Sequence, residues 1–224
     1  MSSQEDYCKP GDDLPFEMED VACDRCGSRR QREVYRRRDR LHMEYAFRLV
    51  EFLGCGLAFV NPRPTIESLG FFYPPDFYAV MSLPPQQRSY ANRLNYLGKN
   101  TSQTVLDVGS GRGDFPLLLK NQGWKVEGHE VICTALIPEV TIHTIPLMEM
   151  AQTGKTYGMV CSWAVFEHLT RSSLYFQAVR DLLKPGGTFM FLVTNFESPA
   201  SRHFMQEDIP RHLFVFSPKT CEAY

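Results

Sequence analysis

Residues 104–115 read Thr104-Val105-Leu106-Asp107-Val108-Gly109-Ser110-Gly111-Arg112-Gly113-Asp114-Phe115. A short apolar run meets three glycines at alternate positions and then gives way to a helical pattern, which reads as strand, tight turn and helix. Glycine tolerates positive φ and leaves the backbone bare, so a ligand approaches the peptide N–H groups of the turn and of the helix start. Asp107 stands two residues before the first glycine, where a carboxylate can organise the turn and hold an ammonium group.

Outward from this turn the pattern stays α/β. Residues 87–97 read as a helix, and Phe115–Asn121 as another, stopped by Gly123. Strands are expected at 104–108, 125–130, 140–145, 158–163 and 188–194, with a helix over Ser172–Leu183 ended by Lys184-Pro185-Gly186-Gly187. Strands alternating with helices predict a doubly wound, Rossmann-like, mostly parallel sheet. A dinucleotide fingerprint, G-x-G-x-x-G, would put its third glycine at position 114, which is Asp114; a nicotinamide-dependent oxidoreductase is therefore disfavoured. Glu130 follows Asp107 by 23 residues, at the end of the next strand.

The D-x-G-x-G-x-G run of Asp107, Gly109, Gly111 and Gly113 resembles motif I of the class I S-adenosylmethionine-dependent methyltransferases. The resemblance continues through Phe166-Glu167-His168-Leu169 after the fourth strand, Leu183-Lys184-Pro185-Gly186-Gly187 before the fifth, Thr194-Asn195 at its end, and Arg211-His212-Leu213-Phe214-Val215-Phe216-Ser217-Pro218. It covers about residues 103–220. It implies that Gly109, Gly111 and Gly113, with Ser110 between them and Asp107 before them, pass beneath the methionine part of S-adenosyl-L-methionine, and that the Glu130 carboxylate takes both ribose hydroxyls. Trp163 and Phe166 either flank the adenine or pack against the core strand.

Methyl transfer from a sulfonium asks the protein to align acceptor and methyl and to exclude water. A hydroxyl acceptor also needs a base near neutral pH. The Glu167-His168 pair, similar to one in ubiquinone-pathway O-methyltransferases, makes His168 the candidate base, with Glu167 to orient it or hold a metal. A second reading has the pair cap the following helix. His212 is a further candidate on a loop, and an exposed loop histidine without a role is the alternative. A small-molecule acceptor and O-methylation are expected. A non-catalytic or truncated methyltransferase-fold binding module is the competing reading.

The N-terminal part differs in composition. Residues 1–20 carry seven acids against Lys9 and are expected to be a disordered tail. Residues 21–61 hold Cys23-Asp24-Arg25-Cys26 and Cys55, separated by alternating apolar and polar positions that suggest antiparallel strands. They resemble the zinc ribbon at the front of many bacterial class I methyltransferases, which implies zinc on Cys23, Cys26 and Cys55. Phe52 occupies the position of the missing ligand, so His42, Cys8 or water would complete the site, or Phe52 packs in a metal-free ribbon. Eight arginines lie between residues 25 and 40; they read as an anion site or as a solvated hairpin tip neutralised by the acidic tail. A proline-rich connector with one helix is expected over 62–102, and the cofactor domain over 103–224.

The chain has 224 residues and a net charge of −2, so no global field favours nucleic acid or an anionic membrane. No apolar run reaches the roughly 20 residues of a membrane span, and the acidic start is unlike a signal peptide, so a cytoplasmic protein is expected. Only about nine residues separate Glu130 from the third strand, leaving room for a very short helix at most. With the sequence ending at Tyr224, the fifth strand is expected at a free sheet edge, open to a partner or a second copy.

Overall fold

The computed structural model describes residues 7–73, 87–98, 102–132, 135–199, 201 and 208–224. The connector prolines at 74–86 lie outside them. The chain divides into two compact units, one of residues 75–165 and 174–192, the other of residues 1–74, 166–173 and 193–224.

The first unit is built on a five-stranded parallel sheet of β6 (Thr104–Val108), β7 (Lys125–His129), β8 (Ile142–His143), β9 (Tyr157–Trp163) and β10 (Leu183–Leu192), in the order β10-β9-β6-β7-β8. The glycine-turn strand β6 is central, with Val105 opposite Val126 on one side and Met159 on the other. Buried on both faces, β6 reads as a near-continuous apolar run. Helix α1 (Gln87–Leu97) has the bounds its periodicity predicts, and α2 (Asp114–Asn121) begins one residue earlier than expected. Leu97, Val105, Phe115, Leu119, Trp124, Met159, Cys161 and Trp163 form one buried cluster, with Tyr90 and Leu94 against it. The third strand shrinks to two residues, and helix α3 (Leu147–Gln152) was not anticipated. No helix lies between Glu130 and β8 among the described residues. Helix α4 spans Ser172–Leu182, and β10 begins at once behind it, with a register shift between Leu183 and Thr188 where the Lys-Pro-Gly-Gly turn is absorbed. Among the described strands β10 stands at the edge of this sheet, as expected.

In the second unit, β2 (Gln31–Arg38), β3 (Ala46–Phe52), β4 (Ala58–Val60) and β11 (Phe214–Val215) form an antiparallel sheet in the order β11-β4-β3-β2. Three expectations are corrected here. Residues 7–20 are not a free tail: β1 (Met18–Glu19) pairs with β5 (Arg63–Pro64), Phe16 is buried among Tyr45, Phe71 and Phe72, and the Cys8 N–H donates to Ala46. Apolar Phe16 and Met18 outweigh the acids around them. The arginine stretch is for the most part an edge strand, not a hairpin tip, and among the described residues Arg32 pairs with Glu51 and Arg36 with Glu33 within the sheet, while Arg29 pairs with Asp20 of the acidic segment. Such charges protect an edge from pairing with other chains. Finally, the segment from residue 193 belongs to this unit, not to the parallel sheet; Val215 pairs with Ala58, and helix α5 (Pro218–Cys221) starts on a capping box of Ser217 and Thr220.

Candidate functional site

At the carboxyl end of β6 the chain takes positive φ at Gly109 (74°), Gly111 (56°) and Gly113 (100°). A Cβ on Gly109 would lie 2.3 Å from Val165, and one on Gly113 2.7 Å from Ile142, whereas one on Gly111 meets open space. Gly109 and Gly113 are thus glycines because neighbours close over them, and Gly111 because its backbone is turned left-handed. The Gly109 and Ser110 N–H groups donate to the His129 carbonyl, which ties the turn to the end of β7. Ser110 faces Gly128, whose missing side chain makes room for its hydroxyl.

Glu130 follows β7, and its carboxylate accepts the Gly111 N–H at 3.1 Å and the Ile132 N–H at 3.0 Å. The two donors fix its orientation beside the open face of Gly111, and each oxygen retains a lone pair for a hydroxyl. Asp107 is 2 % exposed, and its Oδ1 accepts a hydrogen bond from the Cys161 thiol. Burial pushes its carboxyl up to about 7, against the pull of Cys161 and of the Arg93 charge. A carboxylate held so close to neutral is one that an incoming ammonium would ionise.

Arg93 was not singled out by any motif. Its guanidinium lies over the rings of Tyr90, Phe115 and Trp163, at 5.1, 5.6 and 5.2 Å from their centroids. The sequence held one signal, an arginine three residues after Tyr90 and four before Leu97, on the buried stripe of an amphipathic helix. Trp163 is buried, packs edge-on against Phe115 at 5.7 Å, and leaves its indole N–H without a hydrogen-bond partner among the described residues. Ala164, just after it, is the one described residue other than glycine with positive φ, at 57°. Backbone strain of this kind persists where surrounding contacts enforce it; the Ala164 N–H donates to Leu192.

In the other unit the structure brings Glu167, His168 and His212 together, with one ligand-type atom of each within 4.8 Å of the others. The two imidazoles meet edge to face at 4.7 Å. His168 Nδ1 lies 3.0 Å from the Arg211 carbonyl and 3.0 Å from the Tyr73 hydroxyl. Burial holds His168 below its usual value although the Arg211 carbonyl opposes it, and burial together with His168 takes His212 down to about 3. Burial thus favours the neutral form of both rings. Burial pushes Glu167 up to about 7. The helix-capping alternative does not describe this pair: Ser173 at the start of α4 is capped by Asp24, which accepts its N–H at 2.7 Å and its hydroxyl at 2.9 Å.

Cys23, Cys26 and Cys55 also converge, their sulfurs within 4.8 Å and those of Cys23 and Cys55 3.5 Å apart. Thiolates at about 2.3 Å from a tetrahedral zinc lie roughly 3.8 Å apart, so these three fit the ion. Neither His42 nor Cys8 joins them. His42 stacks on Phe71 at 4.8 Å, and Phe52, fully buried, stacks on Phe59 at 4.6 Å. Phe52 thus belongs to an aromatic core. Burial raises Cys23 to about 12, while Cys26, with little burial to oppose them, is lowered by the Ser28 N–H and by the two neighbouring thiols.

Residues 85–223 match the sequence profile of a methyltransferase domain. No match was found among curated proteins. Among solved structures the chain is similar to an S-adenosylmethionine-dependent methyltransferase from Archaeoglobus fulgidus, with a TM-score of 0.52 and 20% identity over 61% of this chain and 65% of that one. Weaker likeness extends to the CcbJ methyltransferase of Streptomyces caelestis (TM-score 0.41, 20% identity, 50% and 51% covered). It extends also to the glycopeptide N-methyltransferase MtfA complexed with S-adenosylmethionine (0.41, 22%, 50% and 56%). The matched region spans less than two thirds of the length of each. The first of these likenesses concerns the fold; the profile covers more than half of the sequence, and the protein belongs to the class I methyltransferase family.

Proposed function

We propose that the protein transfers the methyl group of S-adenosyl-L-methionine to an oxygen of a small-molecule acceptor. The observation that carries the reading is Glu130, a carboxylate oriented by two backbone N–H groups beside the open face of the glycine turn. Asp107 takes the cofactor's ammonium, Gly109, Ser110, Gly111 and Gly113 line its methionine part, and Glu130 accepts the ribose hydroxyls. Arg93, held over the Trp163 ring, pairs with the cofactor's carboxylate. The cofactor supplies an electrophilic methyl group. His168, neutral at pH 7 and fixed through Nδ1, takes the acceptor's proton at Nε2, with Glu167 and His212 beside it. An oxygen nucleophile is favoured because a neutral base is needed for a hydroxyl and not for an uncharged amine.

The test is methyl transfer from isotopically labelled cofactor to panels of hydroxyl and amine compounds. Transfer to hydroxyls, reduced about 100-fold in His168→Gln, is expected. Transfer to amines alone overturns the oxygen assignment, and cofactor binding without any transfer favours the binding-module reading.

We further propose that Cys23, Cys26 and Cys55 hold one zinc ion. Metal analysis of purified protein should return one zinc per chain, falling several-fold in Cys26→Ser; a zinc-free wild-type protein excludes the assignment. No helix among the described residues is long and apolar enough to cross a membrane. The β10 edge is proposed as the place where a partner strand would pair.

A further inference from the structure

The Glu167 side chain lacks what a buried carboxylate ordinarily has. It is 2 % exposed, its Oε2 finds no hydrogen-bond partner, and no ion pair to it occurs among the described residues. Its own backbone N–H is the support found for the carboxylate among the described residues, and a buried carboxylate so poorly paired is kept where something else compensates it. Two imidazoles face it. His168 is held through Nδ1 by a backbone carbonyl and a tyrosine hydroxyl, which leaves the Nε2 lone pair free, the arrangement by which proteins orient a ligating histidine. His212 Nδ1 lies 3.3 Å from Thr194 Oγ1 and 3.3 Å from the Asp208 N–H. With its proton on Nδ1, His212 donates to Thr194 and frees Nε2; the long Asp208 contact is the interaction given up.

We propose that Glu167, His168 and His212 bind one divalent cation of the borderline first-row class, zinc or a close analogue, on two imidazole nitrogens and a carboxylate oxygen. Two histidines and a glutamate are a donor set suited to such a cation, and three protein ligands leave positions for water or an acceptor hydroxyl. A cation there lowers the pKa of a coordinated hydroxyl, so that its proton is lost to solvent. It thereby replaces His168 as the base, since both roles use Nε2. The proposal goes beyond the methyl-transfer reading and is tested without the cofactor.

Metal-free full-length protein is titrated with Co2+ and followed by absorption. Cobalt on the cysteines gives an intense near-ultraviolet sulfur-to-metal band, whereas cobalt on imidazole and carboxylate gives only weak visible bands. The expected result is two equivalents of Co2+, one of each spectral kind. Glu167→Gln should weaken the second about 100-fold and leave the sulfur band unchanged, and His212→Asn, read in the same way, serves if Glu167→Gln does not fold. Cobalt bound only at the cysteines, no cobalt bound, or weak bands that persist in both variants would overturn the proposal. In those cases His168 stands as the base, and the cofactor assignment is untouched.

Discussion

Asp107→Asn is expected to lower the affinity for S-adenosylhomocysteine about 100-fold at pH 7.5 and to remove most of its dependence on pH. A charge-assisted hydrogen bond to a buried carboxylate contributes about 1.5–3 kcal/mol, and each 1.4 kcal/mol is tenfold in affinity. The folded Asp107 carboxyl lies near 7, raised by burial above its ordinary value of 3.8. As the pH rises between those values the unfolded chain loses its proton first, so the stability contributed by this group is present below the lower value and is lost through the higher one. For the ligand the sign is opposite, because its ammonium needs the ionised carboxylate. Affinity should therefore climb about tenfold per pH unit from 5 to 7 and fall again above about 8, where an α-amino group loses its proton. Isothermal titration across pH 5–9 reads both limbs. The near-isosteric asparagine should fold normally, and a variant that binds as tightly as the wild type removes Asp107 from the site.

Arg211→Leu is expected to cost about 3–5 kcal/mol, a large share of the roughly 5–15 kcal/mol that holds a protein folded. Arg211 is fully buried; its Nη2 lies 2.5 Å from Asp39 Oδ1 and 2.7 Å from Asp208 Oδ1, its Nε donates to Asp208 at 2.9 Å and its Nη1 to the Phe72 carbonyl at 3.1 Å. Without the guanidinium, Asp39, itself fully buried, keeps an uncompensated charge. Urea denaturation measures the loss, and Asp39→Asn added to Arg211→Leu should recover part of it. A loss below about 1 kcal/mol would mean that the network is not what holds this unit together. The backbone carbonyl of the same residue fixes His168, so the stability of this unit depends on the side chain, and the setting of its histidine on the main chain, of one residue.

The parallel sheet and the glycine turn were legible because their signals are local. Short apolar runs, a glycine at each sharp turn and an amphipathic stripe are properties of ten-residue windows. Helix α1 is recovered end to end for that reason. What escaped depends on partners far away in the sequence. Nothing near Phe214 says that it pairs with Phe59, and the Arg211–Asp39 contact joins residues 172 positions apart. The acidic composition of residues 7–20 hid Phe16 and Met18, which decide that segment's fate by burial. In the site, Asp107, the glycines and Glu130 were visible through fixed spacing along consecutive elements. Arg93 was not, since its place over three rings is a tertiary fact.

The most direct test of the whole reading is calorimetric titration of the purified protein with S-adenosylhomocysteine and, separately, with NAD. Stoichiometric micromolar binding of S-adenosylhomocysteine, weakened at least tenfold in Glu130→Ala, and no binding of NAD is the result predicted. Absence of S-adenosylhomocysteine binding below millimolar concentration, or binding of NAD in its place, would contradict it.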